Sequence, residues 1–352
     1  MKFLLFLLPL LLLLSCEANK ANIIDQKKTK QTIKIEYAKH FNLSQKDNLY
    51  ILEILDPISG IVESTHKINK EKNYDAISLS ATVDGMYVLL NQQNQLKGIS
   101  NIDFVYDQKI KTLYNQKKIK AFGDETTHSV EKIISSGANT ILYSGFGEDF
   151  PNQTKLEKLN FTILPIYDWK EIHPLGKAEW IKVIGALTGK MDEAIVFFNN
   201  VVEEYNDLKK LAKNVSHKPS CISGNLIGDI WYTPASESYV AHLMKDAGAD
   251  YRYGKTKGQV TLQFSIEQIL KDNENTEFWI NPGYDSKAKI EKLNPHIKHL
   301  KCYNNIYCYS PNMSKFWEQS AAEPHHVLSD LIHLFHPEIK EIKSFYYYEK
   351  IN

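Results

Sequence analysis

Arginine is almost missing from this chain. Of its 42 basic residues only Arg252 is an arginine, and 42 acidic residues bring the formal charge to zero. Without a net positive field nothing holds the chain on a polyanion, so nucleic acid is not expected as a partner. Catalytic signatures are missing as well. There is no GxSxG, no HExxH and no complete GxxxxGK[ST], and GALTGK at 185–190 falls one residue short of the last inside a helical stretch. The expectation is a binding protein without a cofactor, not an enzyme. Cysteine is scarce, at four residues, and no spacing among Cys16, Cys221, Cys302 and Cys308 suits a structural zinc site. The segment CYNNIYC can turn about Asn304, Asn305 and Ile306 and pair Cys302 with Cys308. Two free buried thiols are the equal alternative, because a two-residue turn puts the pair out of register.

Long apolar runs are confined to the start, where Phe3–Leu14 is unbroken and Ser15 and Cys16 follow. The run is too short for a stable bilayer-spanning helix and suits the apolar region of an export signal. Residues 17–31, EANKANIIDQKKTKQ, lack spaced apolar positions and predict a flexible tether.

The whole chain, at 352 residues and 43% hydrophobic, is long enough for two cores. DAISLS (75–80) predicts a buried strand, ATVDGMYVLLNQQ a helix and LKGIS a strand. KIKAFG, ANTILYSG and NFTILPI continue the strands, with SVEKIISSG as a helix between them. The second half repeats this grammar in SCISGNL, SESYVAHLMKDAGA, SIEQILKDN and TEFWINPG. Alternating strand and helix predicts α/β lobes on mostly parallel sheets. One phrase even recurs, as HSVEKII at 128–134 and FSIEQIL at 264–270. Between the halves runs the longest helical pattern, broken at Gly189, whose stripe passes through Ala194, Phe198, Val201 and Tyr205. The expected order is a signal over 1–15, a tether over 16–31, an N-terminal lobe over 32–173, connecting helices over 174–215 and a C-terminal lobe over 216–352.

These parts resemble, over roughly residues 32–340, the substrate-binding proteins of ABC importers for cobalamin and ferric siderophores. GDETTHSVEKIISSGANTIL is similar to that family's first-lobe phrase, and LGKAEWIKVIGALTG with AIVFFNNVVEEYNDLKKLA to its connecting helices. IWYTPASESYVAHLMKDAGADYRY and FWEQSAAEPHHVLSDLIHLFHPE resemble second-lobe segments of a branch common among its lipoproteins. The chain departs from that branch at Ala235 and Ser236, where a Gly pair is usual, and at Gln319 and Ser320, where a Gly is. The resemblance implies two Rossmann-like lobes joined by a single long α-helix, with the ligand cleft between them. Leu13–Cys16 resembles a lipobox, which implies cleavage before Cys16, lipidation of its thiol and an exported lipoprotein on the periplasmic face of a bacterial membrane. Glu131 and Glu267, one in each copy of the repeated phrase, match the acids that dock such proteins onto a twofold ABC permease dimer.

The implied ligand is a metal chelate, with ferric siderophore first and cobalamin or haem as alternatives. Such a molecule needs aromatic faces and a few oriented donors at strand ends facing a crevice. In the first half the candidates are Tyr143 and Phe146 in YSGFG, and Tyr167 and Trp169 in PIYDWK. In the second they are Trp231 and Tyr232 in DIWYTP, Trp279 in EFWINPG, and Trp317 with Glu318. Arg252 joins them, because the guanidinium fork clamps carboxylates. A rival use of EPHHVLSDLIHLFHP is a metal-binding lipoprotein or metalloenzyme, with His326, His333 and His336 on one helical face.

Overall fold

The computed structural model describes residues 31–123, 129–146, 149–258, 261–309, 315–342 and 344–352. The signal, the lipobox with Cys16 and most of the tether lie outside them. No helix among the described residues is long and apolar enough to cross a membrane.

The first element among the described residues is an antiparallel meander that the sequence analysis does not anticipate. Strands β1 (Gln31–Thr32), β2 (Phe41–Lys46), β3 (Leu49–Leu55) and β4 (Val62–Asn69) pair in that order. In β3 every second side chain is buried, through Tyr50, Leu52 and Ile54, as a sheet with one solvated face requires. Lys46 opposes Leu49, leaving Asp47 and Asn48 as a two-residue turn in which Asp47 takes φ 55°.

The first lobe follows. Strands β5 (Ala76–Ser78), β6 (Leu96–Ile99), β7 (Lys120–Ala121), β8 (Thr140–Tyr143) and β9 (Thr162–Pro165) form a parallel sheet in the order β7-β6-β5-β8-β9. Helices α1 (Ala81–Leu89), α2 (Gln108–Asn115), α3 (Val130–Ile134) and α4 (Gln153–Lys158) make the crossovers. Three connecting helices come next: α5 (Pro174–Glu179), α6 (Ile181–Thr188) and α7 (Met191–Lys213). Gly189 ends α6 in the left-handed conformation, at φ 69°, where a side chain would be strained. With 23 residues, α7 is about 35 Å long. It buries Ala194, Phe198, Val201, Tyr205 and Ala212, and packs on α6.

The second lobe has a five-stranded sheet in the order β13-β10-β15-β16-β17 and a three-stranded antiparallel ribbon, β11-β12-β14. The ranges are β10 (Ser220–Ser223), β11 (Asn225–Ile227), β12 (Ile230–Pro234), β13 (Asp250–Tyr251), β14 (Thr261–Ser265), β15 (Phe278–Ile280), β16 (Ile306–Tyr309) and β17 (Tyr348–Lys350). All pairs of the larger sheet are parallel except β16 with β17. Its helices are α8 (Tyr239–Asp246), α9 (Ile266–Asp272), α10 (Lys287–Leu293), α11 (Phe316–Gln319) and α12 (Pro324–Phe335), the last lying along α7. The chain is thus two α/β lobes joined by a long helix.

The Cys302–Cys308 hairpin does not form. Cys302 sits in a short 3-10 turn, Lys301–Asn304, while Cys308 lies in β16 opposite Glu349, and both thiols are free. Burial pushes each up to about 12, which leaves them protonated and inert at neutral pH.

Candidate functional site

Two lobes create a crevice where their strands end. A cavity of about 650 Å³ opens there, between the C-terminal ends of the second-lobe strands, Thr82 of the first lobe and Lys177 of the connecting helix α5. Its second-lobe wall is aromatic. Tyr232 projects from β12, Tyr239 from the start of α8, and Tyr309 from the end of β16. Phe316 stacks on Tyr309 at 4.0 Å and 5°, and Trp317 meets Tyr309 edge-on at 5.2 Å. Trp317 is 48% exposed, so its face is available to a ligand. Asn225, Gln263 and Asn281 supply amides among the rings. The cation of the lining is Lys177 on α5. It lies 4.0 Å from Asp168 and over the Tyr239 ring at 5.2 Å, and Thr82 donates to Asp168 at 3.0 Å.

Of the residues expected at the ligand, Tyr232 and Trp317 line this cavity. Phe146 and Trp169 sit at the same edge of the first-lobe sheet as Thr82, beyond the ends of β8 and β9. Their rings lie 4.9 Å apart, Phe146 is 72% exposed, and Trp169 is anchored by its indole N–H to the Ser144 carbonyl at 2.7 Å. The others have different duties. Trp231 and Trp279 are buried against one another at 4.8 Å behind the cavity floor, and donate to the carbonyls of Ser223 and Gly224. A side chain at Gly224, where φ is 120°, would meet the Tyr232 carbonyl at 2.1 Å, so glycine is required for this close packing. Tyr143 is buried beside Phe150 in the first-lobe core. Tyr167 is buried, and its hydroxyl donates to Glu63 of β4 at 2.9 Å, tying the lobe to the meander.

Glu318 is a second correction. Its carboxylate is buried and accepts the backbone N–H groups of Tyr106 and Asp107 at 2.8–3.0 Å, which fastens α11 to the first lobe. Burial holds its carboxyl above the usual range. The two lobes touch closely here: a Cβ on Gly85 of α1 would fall 1.6 Å from the Glu318 carbonyl oxygen. Arg252 is a third. Its backbone N–H donates to Cys221, and its exposed side chain borders a polar depression of about 300 Å³ with Asp250, Asp272 and Glu274. Ser220 and Thr276 in that lining mark the N-terminal ends of β10 and β15, opposite the crevice.

The helical face expected of His326, His333 and His336 does not converge either. His336 sets Nε2 against the Ala247 carbonyl at 3.0 Å, His333 packs edge-on to Phe345, and His326 stacks on Tyr346 at 3.9 Å.

Sequence reasoning missed Lys177, Tyr309, Phe316 and the three amides. The aromatic spacing in KFWEQ and the polar residue directly after a strand in INPG were the available signals.

The repeated phrase has a local cause. Ser129 caps α3 by accepting the Lys132 N–H at 3.0 Å, and Ser265 caps α9 by accepting the Gln268 N–H at 3.3 Å. Glu131 and Glu267 stand in those first turns, both exposed. Each helix leads into the strand beside its lobe's first strand, β8 next to β5 and β15 next to β10. Their places in the two lobes are therefore equivalent.

Comparison with known proteins agrees with this architecture. A family model described as "Periplasmic binding protein" matches residues 77–302, more than half of the chain, and the chain belongs to that family. An uncharacterized lipoprotein of Methanocaldococcus jannaschii is 24% identical over 254 residues, 70% of this chain and 60% of its own length. The chain therefore spans only about three fifths of that relative. Among solved structures, a periplasmic haem-binding protein from Pseudomonas aeruginosa aligns with a TM-score of 0.61 at 13% identity, over 80% of this chain and 99% of that one. One of an ABC-type Fe3+-hydroxamate transport system from Saccharomonospora viridis aligns at 0.57 and 14% identity, over 77% and 96%. At these identities the likeness is one of fold.

Proposed function

We propose that this protein captures a metal chelate between its lobes and delivers it to an ABC import permease. Ferric siderophore is the first choice, with cobalamin or haem as alternatives. The observation that carries the reading is the inter-lobe cavity, which sets the faces of Tyr232, Tyr309, Phe316 and Trp317 beside oriented amides. Its volume of about 650 Å³ falls within the range of small-molecule sites. Aromatic faces suit the flat or greasy body of a chelate, and amides suit its polar rim. Lys177 is already shared with Asp168, so the lining favours a ligand with little net negative charge, or with one acidic group for Lys177 to take. A titration of the purified protein with ferric siderophores, cobalamin and haem, followed by tryptophan fluorescence, is expected to show saturable quenching at one chelate per chain. No saturable binding by any member of the panel contradicts the reading.

We further propose that Cys16 carries a lipid anchor on the periplasmic face of a bacterial membrane, consistent with the apolar run before it and with a lipoprotein among the relatives. Replacing Cys16 by Ser is expected to move the protein from the membrane to the soluble fraction, or to stop its processing. Unchanged membrane association of the variant removes the anchor.

A further inference from the structure

The histidine-rich helix holds a different arrangement from the one its spacing suggested. At the start of α12, Glu323, His325 and His326 place one ligand atom each within 4.8 Å of one another. His326 Nδ1 is 3.9 Å from Glu323 Oε1, and the two imidazole rings are 4.1 Å apart. Glu323 occupies the N-cap position of α12 but makes no capping hydrogen bond, and its carboxylate turns toward His326 instead. His325 is 6% exposed. Its Nε2 faces Glu204 Oε2 of α7 at 3.4 Å, and its Nδ1 is buried with no hydrogen-bond partner. A buried polar nitrogen without a partner is costly, and a cation removes that cost.

We propose that Glu323, His325 and His326 bind a borderline divalent cation of the zinc or cobalt class. Ligands held about 2.0–2.2 Å from such an ion lie about 3.3–4 Å apart, so small side-chain rotations close the set. His325 ligates through Nδ1 while its Nε2–H donates to Glu204, the carboxylate–histidine–metal relation that orients ligating imidazoles. Burial lowers both imidazoles, to about 3 and about 4, so each keeps a lone pair at neutral pH. Burial and the charge of Glu204 push Glu323 up to about 7. Lys315, whose charge also reaches Glu323, is already bonded to Asp107 at 2.8 Å. The positive end of α12 opposes a cation by about half a charge, and the Glu204 carboxylate together with the ionised form of Glu323, which the cation itself favours, outweighs it. The remaining coordination position opens on a cavity of about 810 Å³ bordered by Glu204, His325, His326 and Tyr346. This site joins α7 to α12 and is separate from the chelate cleft, so it stands or falls independently of the transport reading.

The test is a titration of the metal-stripped full-length protein with Co(II). Expected are one ion per chain, visible d–d absorption bands, and a rise in Tm with Zn(II). His325→Asn with His326→Asn is expected to abolish all three, and Glu204→Gln to weaken binding about tenfold. Should the double variant fail to fold, Glu323→Gln carries the same test, with a loss of tenfold or more. Absence of stoichiometric binding by the wild type, or binding that survives these substitutions, overturns the site.

Discussion

Reversing both Glu131 and Glu267 to Arg is expected to abolish chelate uptake while leaving the dissociation constant of the purified protein within about twofold. Both side chains are exposed at equivalent first turns of α3 and α9, and neither borders the inter-lobe cavity. A pseudo-symmetric pair of acids is what a twofold partner with matching cationic pockets would engage. Loss of fold is not the expected route. Ser129 and Ser265 retain the caps, and a reversed charge at a solvent-exposed helix start is screened by water. Each single reversal is expected to give an intermediate loss. Uptake that persists in the double variant removes the docking assignment, as does lost chelate binding.

The second large effect is structural. Replacing Glu179 by Ala is expected to destabilise the protein by about 3–5 kcal/mol, the cost of breaking a buried ion pair from one side. Glu179 is fully buried on α5, and its carboxylate accepts the backbone N–H groups of Glu36, Tyr37 and Ala38 at 2.8–3.1 Å. It also pairs with Lys182, itself buried, at 2.7 Å. The substitution leaves three amides without acceptors and the Lys182 ammonium without a counter-charge, with the Lys34 carbonyl at 2.8 Å as its hydrogen-bond partner. Because residues 36–38 lead into β2, the meander loses one of its attachments to the connecting helices, while Glu171 still holds the amides of Lys39 and His40 and Phe41 still packs on Trp180. Thermal unfolding is expected to shift down by roughly 10 °C, with early proteolysis inside residues 31–69. Glu179→Ala with Lys182→Met is expected to recover part of the loss, since no unpaired charge remains. A shift below about 2 °C for the single variant would show that the carboxylate holds nothing.

Elements whose pattern is local were legible from the sequence. The phrase SESYVAHLMKDAGA carries its own stop, since α8 closes at Gly248 with φ 78° while Gly248 and Ala249 donate back to Lys245 and Met244. Gly189 likewise separates α6 from α7. The meander is hard to read from sequence because LYILEIL is apolar at every position but Glu53, and its strict alternation shows only in burial. The inter-lobe cavity lies at strand ends, but a sequence does not say which of two neighbouring aromatics turns inward. Trp231 and Tyr232 are consecutive on β12, so one must face the core and the other the cavity. Glu318 beside Trp317 has the same ambiguity on a helical turn, and the lobe contact at Gly85 that settles it lies more than two hundred residues away. Arg252 was singled out for its rarity, which is a property of composition and not of position.

The most direct test of the account is the affinity of the chelate that binds best, measured by titration on the wild type and on Tyr232→Ala with Trp317→Ala. If the inter-lobe cavity is the site, the double variant weakens binding by about tenfold or more, equivalent to about 1.4 kcal/mol, while Arg252→Lys leaves it unchanged. Wild-type affinity in Tyr232→Ala with Trp317→Ala would place the ligand elsewhere and contradict the account.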